Sequence, residues 1–205
     1  HDLVCVWPQT CAIAGVRLGL LQVELGMKIE ETALPGVLVL TPQRFGDERG
    51  WFCETWNRDR MAGAGLDFGF VQDNHSRSAQ IGTLRGLHYQ SPPRAQDKLI
   101  RCTRGAILDV AVDARVGSPT FGRWVMVELS AENGRQLLVP KGFLHGFVTI
   151  RPDTEVQYKC SDIYAPDCDG GVRWDSLGID WGVADPVLSA KDAAATSFKA
   201  AEVYA

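Results

Sequence analysis

At 205 residues, 45% of them hydrophobic and 22% charged, the chain has the composition of an ordinary soluble globular domain with room for one sizeable core. A formal net charge of −4 excludes a general nucleic-acid binder, which needs clustered Lys and Arg in excess, so any bound anion must meet local cations. Six cysteines (Cys5, Cys11, Cys53, Cys102, Cys160, Cys168), irregularly spaced and without a C-x-x-C pair, exclude a disulfide scaffold and fit a reducing, cytoplasmic setting.

The first 26 residues differ from the rest. The uncharged run from Leu3 to Val16 is interrupted by Pro8 and is too short to span a bilayer. It also lacks the leading positive charge of a secretory signal, so no membrane partner is expected. Met27 opens Met27-Lys28-Ile29-Glu30-Glu31-Thr32, which reads as a natural start. Residues 1–26 are therefore expected to be an upstream extension and residues 27–205 one domain. From Gly36 onward, short apolar and β-branched runs predict strands at Val37–Leu40, Leu99–Cys102, Ile107–Val112, Trp124–Leu129 and Gln136–Val139. Turn chemistry separates them at Arg104-Gly105, Gly117-Ser118-Pro119, Glu132-Asn133-Gly134 and Pro140-Lys141-Gly142. Many short, evenly spaced strands predict an all-β antiparallel sandwich or jelly-roll barrel. Helix is expected only peripherally, near Arg58–Ala64 and in the Ala-rich tail after Ser189.

Two segments carry candidate chemistry. Leu84-Arg85-Gly86-Leu87-His88-Tyr89-Gln90 sets polar groups in an otherwise apolar strand, with His88 and Gln90 on one face. Val139-Pro140-Lys141-Gly142-Phe143-Leu144-His145 brings a second histidine to the start of another strand. A lone histidine in such a place is ordinarily a hydrogen-bonded core residue. Two of them raise a metal site, but there is no H-x-H, and position 90 is Gln where a metal-binding barrel would carry a second His, so no metal is expected.

Six segments together bear on function: Phe45-Gly46-Asp47-Glu48-Arg49-Gly50, Phe70 to Ser76, Leu84 to Gln90, Ser118 to Gly122, Leu129 to Asn133 and Leu188-Ser189-Ala190-Lys191-Asp192. In this order and spacing, from about Met27 past Asp192, they resemble the dTDP-4-dehydrorhamnose 3,5-epimerases. The resemblance implies a jelly-roll cupin with short peripheral helices that works as a homodimer, without metal or organic cofactor, on a dTDP-4-keto-6-deoxy sugar. A ketone at C4 acidifies the protons on C3 and C5, so such an enzyme needs a base, an acid and an enolate stabiliser. His88 suits the base, because imidazole titrates near working pH.

Asp192 is by resemblance the carboxylate that orients His88. Locally, Ser189-x-x-Asp192 reads as a helix capping box. Tyr158 resembles the proton donor on the opposite face, and an isolated strand tyrosine is otherwise a rim aromatic. Lys98 resembles the lysine that stabilises the enolate oxygen, where a surface lysine is the plain alternative. Arg49, Arg85 and Lys191 resemble phosphate contacts. Phe45, Glu54, Gln72, Asn74 and Tyr164 resemble residues around sugar and thymidine. His145 fits either a supporting role behind the site or a sugar-contacting one, with Asp109 on a neighbouring strand as its expected partner. Asp162-Ile163 lacks an aromatic that some members carry before the tyrosine matching Tyr164, which bears on nucleobase selectivity. Two other activities share most of these residues, a C5-only epimerase and a sugar-nucleotide-binding barrel without turnover.

Overall fold

The computed structural model describes residues 26–199 and Tyr204. Thirteen strands and two helices follow in chain order: β1 (Met27–Glu31), β2 (Leu38–Pro42), β3 (Phe45–Asp47), β4 (Gly50–Phe52), α1 (Arg58–Gly63), β5 (Gln72–Ser78), β6 (Leu84–Gln90), β7 (Lys98–Arg104), β8 (Ala106–Asp113), β9 (Trp124–Ser130), β10 (Gln136–Val139), β11 (Phe143–Thr149), β12 (Thr154–Cys160), β13 (Asp169–Gly171) and α2 (Ala190–Ala193). A six-stranded sheet in the order β1-β2-β10-β7-β12-β5 faces a five-stranded sheet in the order β13-β6-β11-β8-β9. All ladders between them are antiparallel. The architecture is a jelly-roll barrel of the cupin kind.

Three apolar layers hold it together. Between the sheets lie Ile100, Ile107, Ala111, Leu129, Leu137, Phe143, Phe147 and Val156. The outer face of the five-stranded sheet, with Leu87, Val110, Val112 and Leu144, is covered by Val172, Ile179 and Trp181 from the C-terminal segment. The outer face of the six-stranded sheet, with Leu40, Leu99 and Leu138, is covered by Trp56, Met61, Leu66, Phe68 and Phe70. Strands buried on both sides need apolar residues at consecutive positions, which is why β8, β10 and β11 are legible in sequence.

Two differences from expectation have simple causes. The first predicted strand begins at Leu38 rather than Val37, because Val37 closes a turn through its amide to Leu34 and its carbonyl to Thr32. The Ala-rich tail yields only the four residues of α2, after which the chain turns back to pair Val172 with Thr196. Met27 is a buried member of β1 paired with Pro42. The reading of residues 1–26 as an extension lies outside the described residues, Gly26 excepted.

Candidate active site

One end of the sandwich opens into a cavity of about 410 Å³ between β5, β7 and β12 on one side and β6 and β13 on the other. That volume suits a small organic ligand. The cavity exists because the inner face of the six-stranded sheet changes character along its strands. Apolar Ile100 and Val156 give way to Lys98, Tyr158, Gln72 and Asn74.

His88 enters from β6, whose geometry is set by a bulge. Against β11, His88 pairs with His145 but Arg85 pairs with Phe147, so three steps on β6 oppose two on β11. The extra residue brings Arg85 round toward the side on which His88 sits. Gly86 sits here with φ of 129°. A Cβ on it would come within 2.6 Å of Gly146 Cα and 2.9 Å of His145 O, so only glycine fits.

The ring Nε2 of His88 donates to Asp192 Oδ1 at 2.5 Å. Since a carboxylate only accepts, Nε2 carries the proton and Nδ1 keeps its lone pair. Asp192 is also tied to the cap of α2, whose N-cap residue is Ser189. The amide of Asp192 donates to Ser189 Oγ at 3.1 Å, and Ser189 Oγ donates to Asp192 Oδ2 at 2.9 Å. The Ser189 cap, worth about 1 kcal/mol, thus also holds the carboxylate that orients His88. Burial pushes the Asp192 carboxyl upward. The His88 bond and charge, the Ser189 bond and the Gly86 amide outweigh that and hold it below its ordinary range.

Tyr158 stands on β12 beside Asn74 of β5 and Ile100 of β7. Burial raises its phenol above the usual value, keeping it protonated. Lys98, opposite Cys160 at the start of β7, is pushed the other way. Burial lowers its ammonium, while the electrostatic influence of Cys160, Asp169 and Asp109 resists. A desolvated cation of this kind is strongly attracted to any oxyanion formed nearby.

The mouth is built by Gln90, Gln72 and the loop after β12. Gln90 donates to the carbonyls of Arg94 (2.6 Å) and Ile163 (3.2 Å) and accepts from the amide of Ala165 (2.8 Å). Gln72 accepts the amide of Tyr164 at 2.8 Å and donates to Asn74 at 3.1 Å. Tyr164, Asp169 and Lys191 complete the rim.

Of the thirteen residues singled out by sequence, His88, Lys98, Tyr158, Gln72, Asn74, Tyr164 and Lys191 line this cavity, with Asp192 directly behind His88. Arg85 is held by Ser78 Oγ and the Arg77 carbonyl, near enough to Tyr158 to act on its titration. His145 lies outside the lining, buried against Asp109 with Nε2 to Oδ1 at 2.7 Å. Phe45, Arg49 and Glu54 are not at the cavity. Phe45 and Arg49 belong to the exposed β3–β4 hairpin, where Arg49 pairs with Asp47, and Glu54 accepts from Asn57 and Arg60. Gln96 and Asp169 line the cavity without having been singled out. Asp169 lies in Cys168-Asp169-Gly170-Gly171, which reads as a bare turn. Among the described residues, no group of His, Cys, Asp or Glu side chains converges in a way that could hold a metal ion.

A base held by a carboxylate, a neutral phenol and a half-buried cation around one barrel cavity define a carbon-acid isomerase, an enzyme that lifts and returns protons beside a carbonyl. A family model described as dTDP-4-dehydrorhamnose 3,5-epimerase matches residues 31–200. The enzyme of that name from Sinorhizobium fredii is 51% identical over 83% of this chain and 89% of its own length. The crystal structure of the Bacillus anthracis enzyme, with TDP and PPi bound, is 50% identical with a TM-score of 0.82, over 83% of this chain and 99% of that one. The Legionella pneumophila dTDP-6-deoxy-D-glucose-3,5-epimerase in complex with dTDP-4-keto-L-rhamnose is 44% identical with a TM-score of 0.81, over 85% and 94%. The chain belongs to the dTDP-4-dehydrorhamnose 3,5-epimerase family.

Proposed function

We propose that this chain converts dTDP-4-dehydro-6-deoxy-D-glucose to dTDP-4-dehydro-L-rhamnose in dTDP-rhamnose biosynthesis, by inverting C3 and C5. The observation that carries the reading is the His88–Asp192 pair, aimed into a cavity whose far wall holds Tyr158 and Lys98. His88 Nδ1 takes the proton from the carbon beside the ketone, and Asp192 stabilises the imidazolium that results. The electron pair moves onto the C4 oxygen, where the Lys98 ammonium meets the enolate charge. The Tyr158 hydroxyl then returns a proton to the same carbon from the opposite face, and once solvent has taken the proton from His88 and reprotonated the Tyr158 phenolate the sequence repeats at the second carbon. Lys191 and Arg85 supply positive charge for the diphosphate. Gln72, Asn74 and Tyr164 lie where a sugar or base would be contacted.

The positions of Phe45, Arg49 and Glu54 support the homodimer that the family pattern implies. The β3–β4 hairpin pairs only with itself and exposes Phe45, Trp51 and Phe52. In this reading a second copy brings the hairpin to the cavity mouth. Four described cysteines, Cys53, Cys102, Cys160 and Cys168, are free thiols. Among the described residues no helix is long and apolar enough to cross a membrane. The free thiols fit residence in a reducing cytoplasm.

Incubation with the keto sugar in heavy water tests the reading. Deuterium is expected at both C3 and C5. Entry at C5 alone would make this the narrower epimerase, and no entry would leave a binding protein.

A further inference from the structure

Asp169 is the only carboxylate among the described residues lining the cavity. A carboxylate there opposes the entry of a diphosphate, so its position needs a reason. Its Oδ2 accepts from the Tyr164 hydroxyl at 3.0 Å and pairs with the Lys191 ammonium. The three residues come from separate segments. Tyr164 lies in the loop after β12, Lys191 in the first turn of α2, and Asp169 is fixed by β13 opposite Gln90. The Asp169 side chain is 14% exposed and that of Lys191 56%, so the carboxylate sits inside and draws the ammonium across the rim. The same contact is the main cause of the raised titration of both Lys191 and Tyr164, so both donors keep their protons while they are tied.

We propose that Asp169 is an internal counter-ion that ties Lys191 to Tyr164 across the mouth and yields the ammonium to the diphosphate of an entering sugar nucleotide. The inference rests on the reading of Lys191 as a diphosphate contact. Binding is then an exchange of one anion for another. Its apparent affinity is reduced by the share of molecules in which Lys191 is already occupied. An anion too weak to displace the carboxylate is turned away, which favours a diphosphate over inorganic phosphate. Asp169 is in this sense a positioning residue that acts through Lys191.

Calorimetric titration of the full chain with dTDP, at low and raised salt, tests the exchange. Asp169→Asn keeps an acceptor for Tyr164 and removes the charge. It is expected to bind dTDP about five- to tenfold tighter than the unaltered chain, with the gain shrinking as salt rises. Asp169→Glu, which restores the charge, should fall back toward the original affinity. Lys191→Ala alone should weaken dTDP binding, and in that background Asp169→Asn should bring no gain. Affinity that is unchanged or weaker in Asp169→Asn overturns the proposal, as does a gain that survives the loss of Lys191. Asp169→Ser supplies a second carboxylate-free variant if Asn disturbs the fold. Should Lys191→Ala leave dTDP affinity untouched, the diphosphate reading of Lys191 fails first and takes the exchange with it.

Discussion

The barrel holds two histidine–carboxylate pairs on facing positions of neighbouring strands, since His88 of β6 stands opposite His145 of β11. Each ring donates Nε2 to an aspartate, at 2.5 Å to Asp192 and 2.7 Å to Asp109. The surroundings separate them. The His88 side chain is 34% exposed and that of His145 8%. Asp192 collects further donors from Ser189 and Gly86, which hold its carboxyl low. Asp109 is wholly buried, its Oδ2 has no hydrogen-bond partner among the described residues, and burial prevails over His145 to push its carboxyl up. The same two residue types therefore make two devices. One has a free ring face and a carboxylate furnished to accommodate a charge that comes and goes. The other bears an incompletely compensated carboxylate beneath the floor of the site.

The largest effect expected is on turnover. His88→Ala should lower kcat by about three to four powers of ten in the epimerisation assay while dTDP binding changes little, because a general base acts mainly in the transition state. His145→Ala should cost far less, and equal losses in the two variants would erase the distinction. Lys98 gives the next test. Its ammonium must stay charged to meet the enolate, and burial lowers its titration. The alkaline limb of the rate profile should thus fall below the ordinary lysine value of about 10.4. Tyr158, raised by burial, does not supply that limb. Lys98→Arg, charged throughout, should move the limb upward, and an unmoved limb would take Lys98 out of the chemistry.

The smallest effects are on stability and have opposite signs for the two carboxylates. The lowered carboxyl of Asp192 contributes stability that is present above about pH 4 and lost as pH falls through its folded value. The raised carboxyl of Asp109 imposes a cost that is absent below about pH 4 and grows as pH rises toward its folded value. Urea midpoints should show Asp109→Asn gaining on the unaltered chain as pH climbs from about 4 to 7. Asp192→Asn should lose on it in a lower window, as pH climbs toward about 4, and stay level above that. Parallel curves would mean that the two pairs do not differ in this respect.

How much of this was legible varies with what each strand buries. Ile107 to Val112 in β8 and Gln136 to Val139 in β10 are read at sight, because both their faces are covered. The strand β5, Gln-Asp-Asn-His-Ser-Arg-Ser, has no apolar residue. One face carries the cavity's Gln72 and Asn74, and the other carries solvent charges such as Asp73, His75 and Arg77. Hydrophobic periodicity cannot see a wall built to hold polar ligand groups. At the site, His88, Tyr158, Lys98 and Asp192 were found through family likeness, because the strand order that gathers them is set by long-range pairing. The β6 bulge was invisible, since the need for Gly86 comes from the backbone of Gly146 on another strand. Asp169 escaped notice inside a glycine-rich turn.

The sheath over the five-stranded sheet has a consequence for how such a molecule would fail. Val172, Ile179 and Trp181 clamp the segment from Val172 to Phe198 onto the barrel, and the carboxylate that steadies the base rides on that same stretch. Peeling it away leaves the inner sandwich intact yet strands the imidazole without its orienting anion. Heat should accordingly extinguish catalysis several degrees before the sheets melt, so that residual activity reports on the docking of one peripheral segment rather than on the survival of the fold.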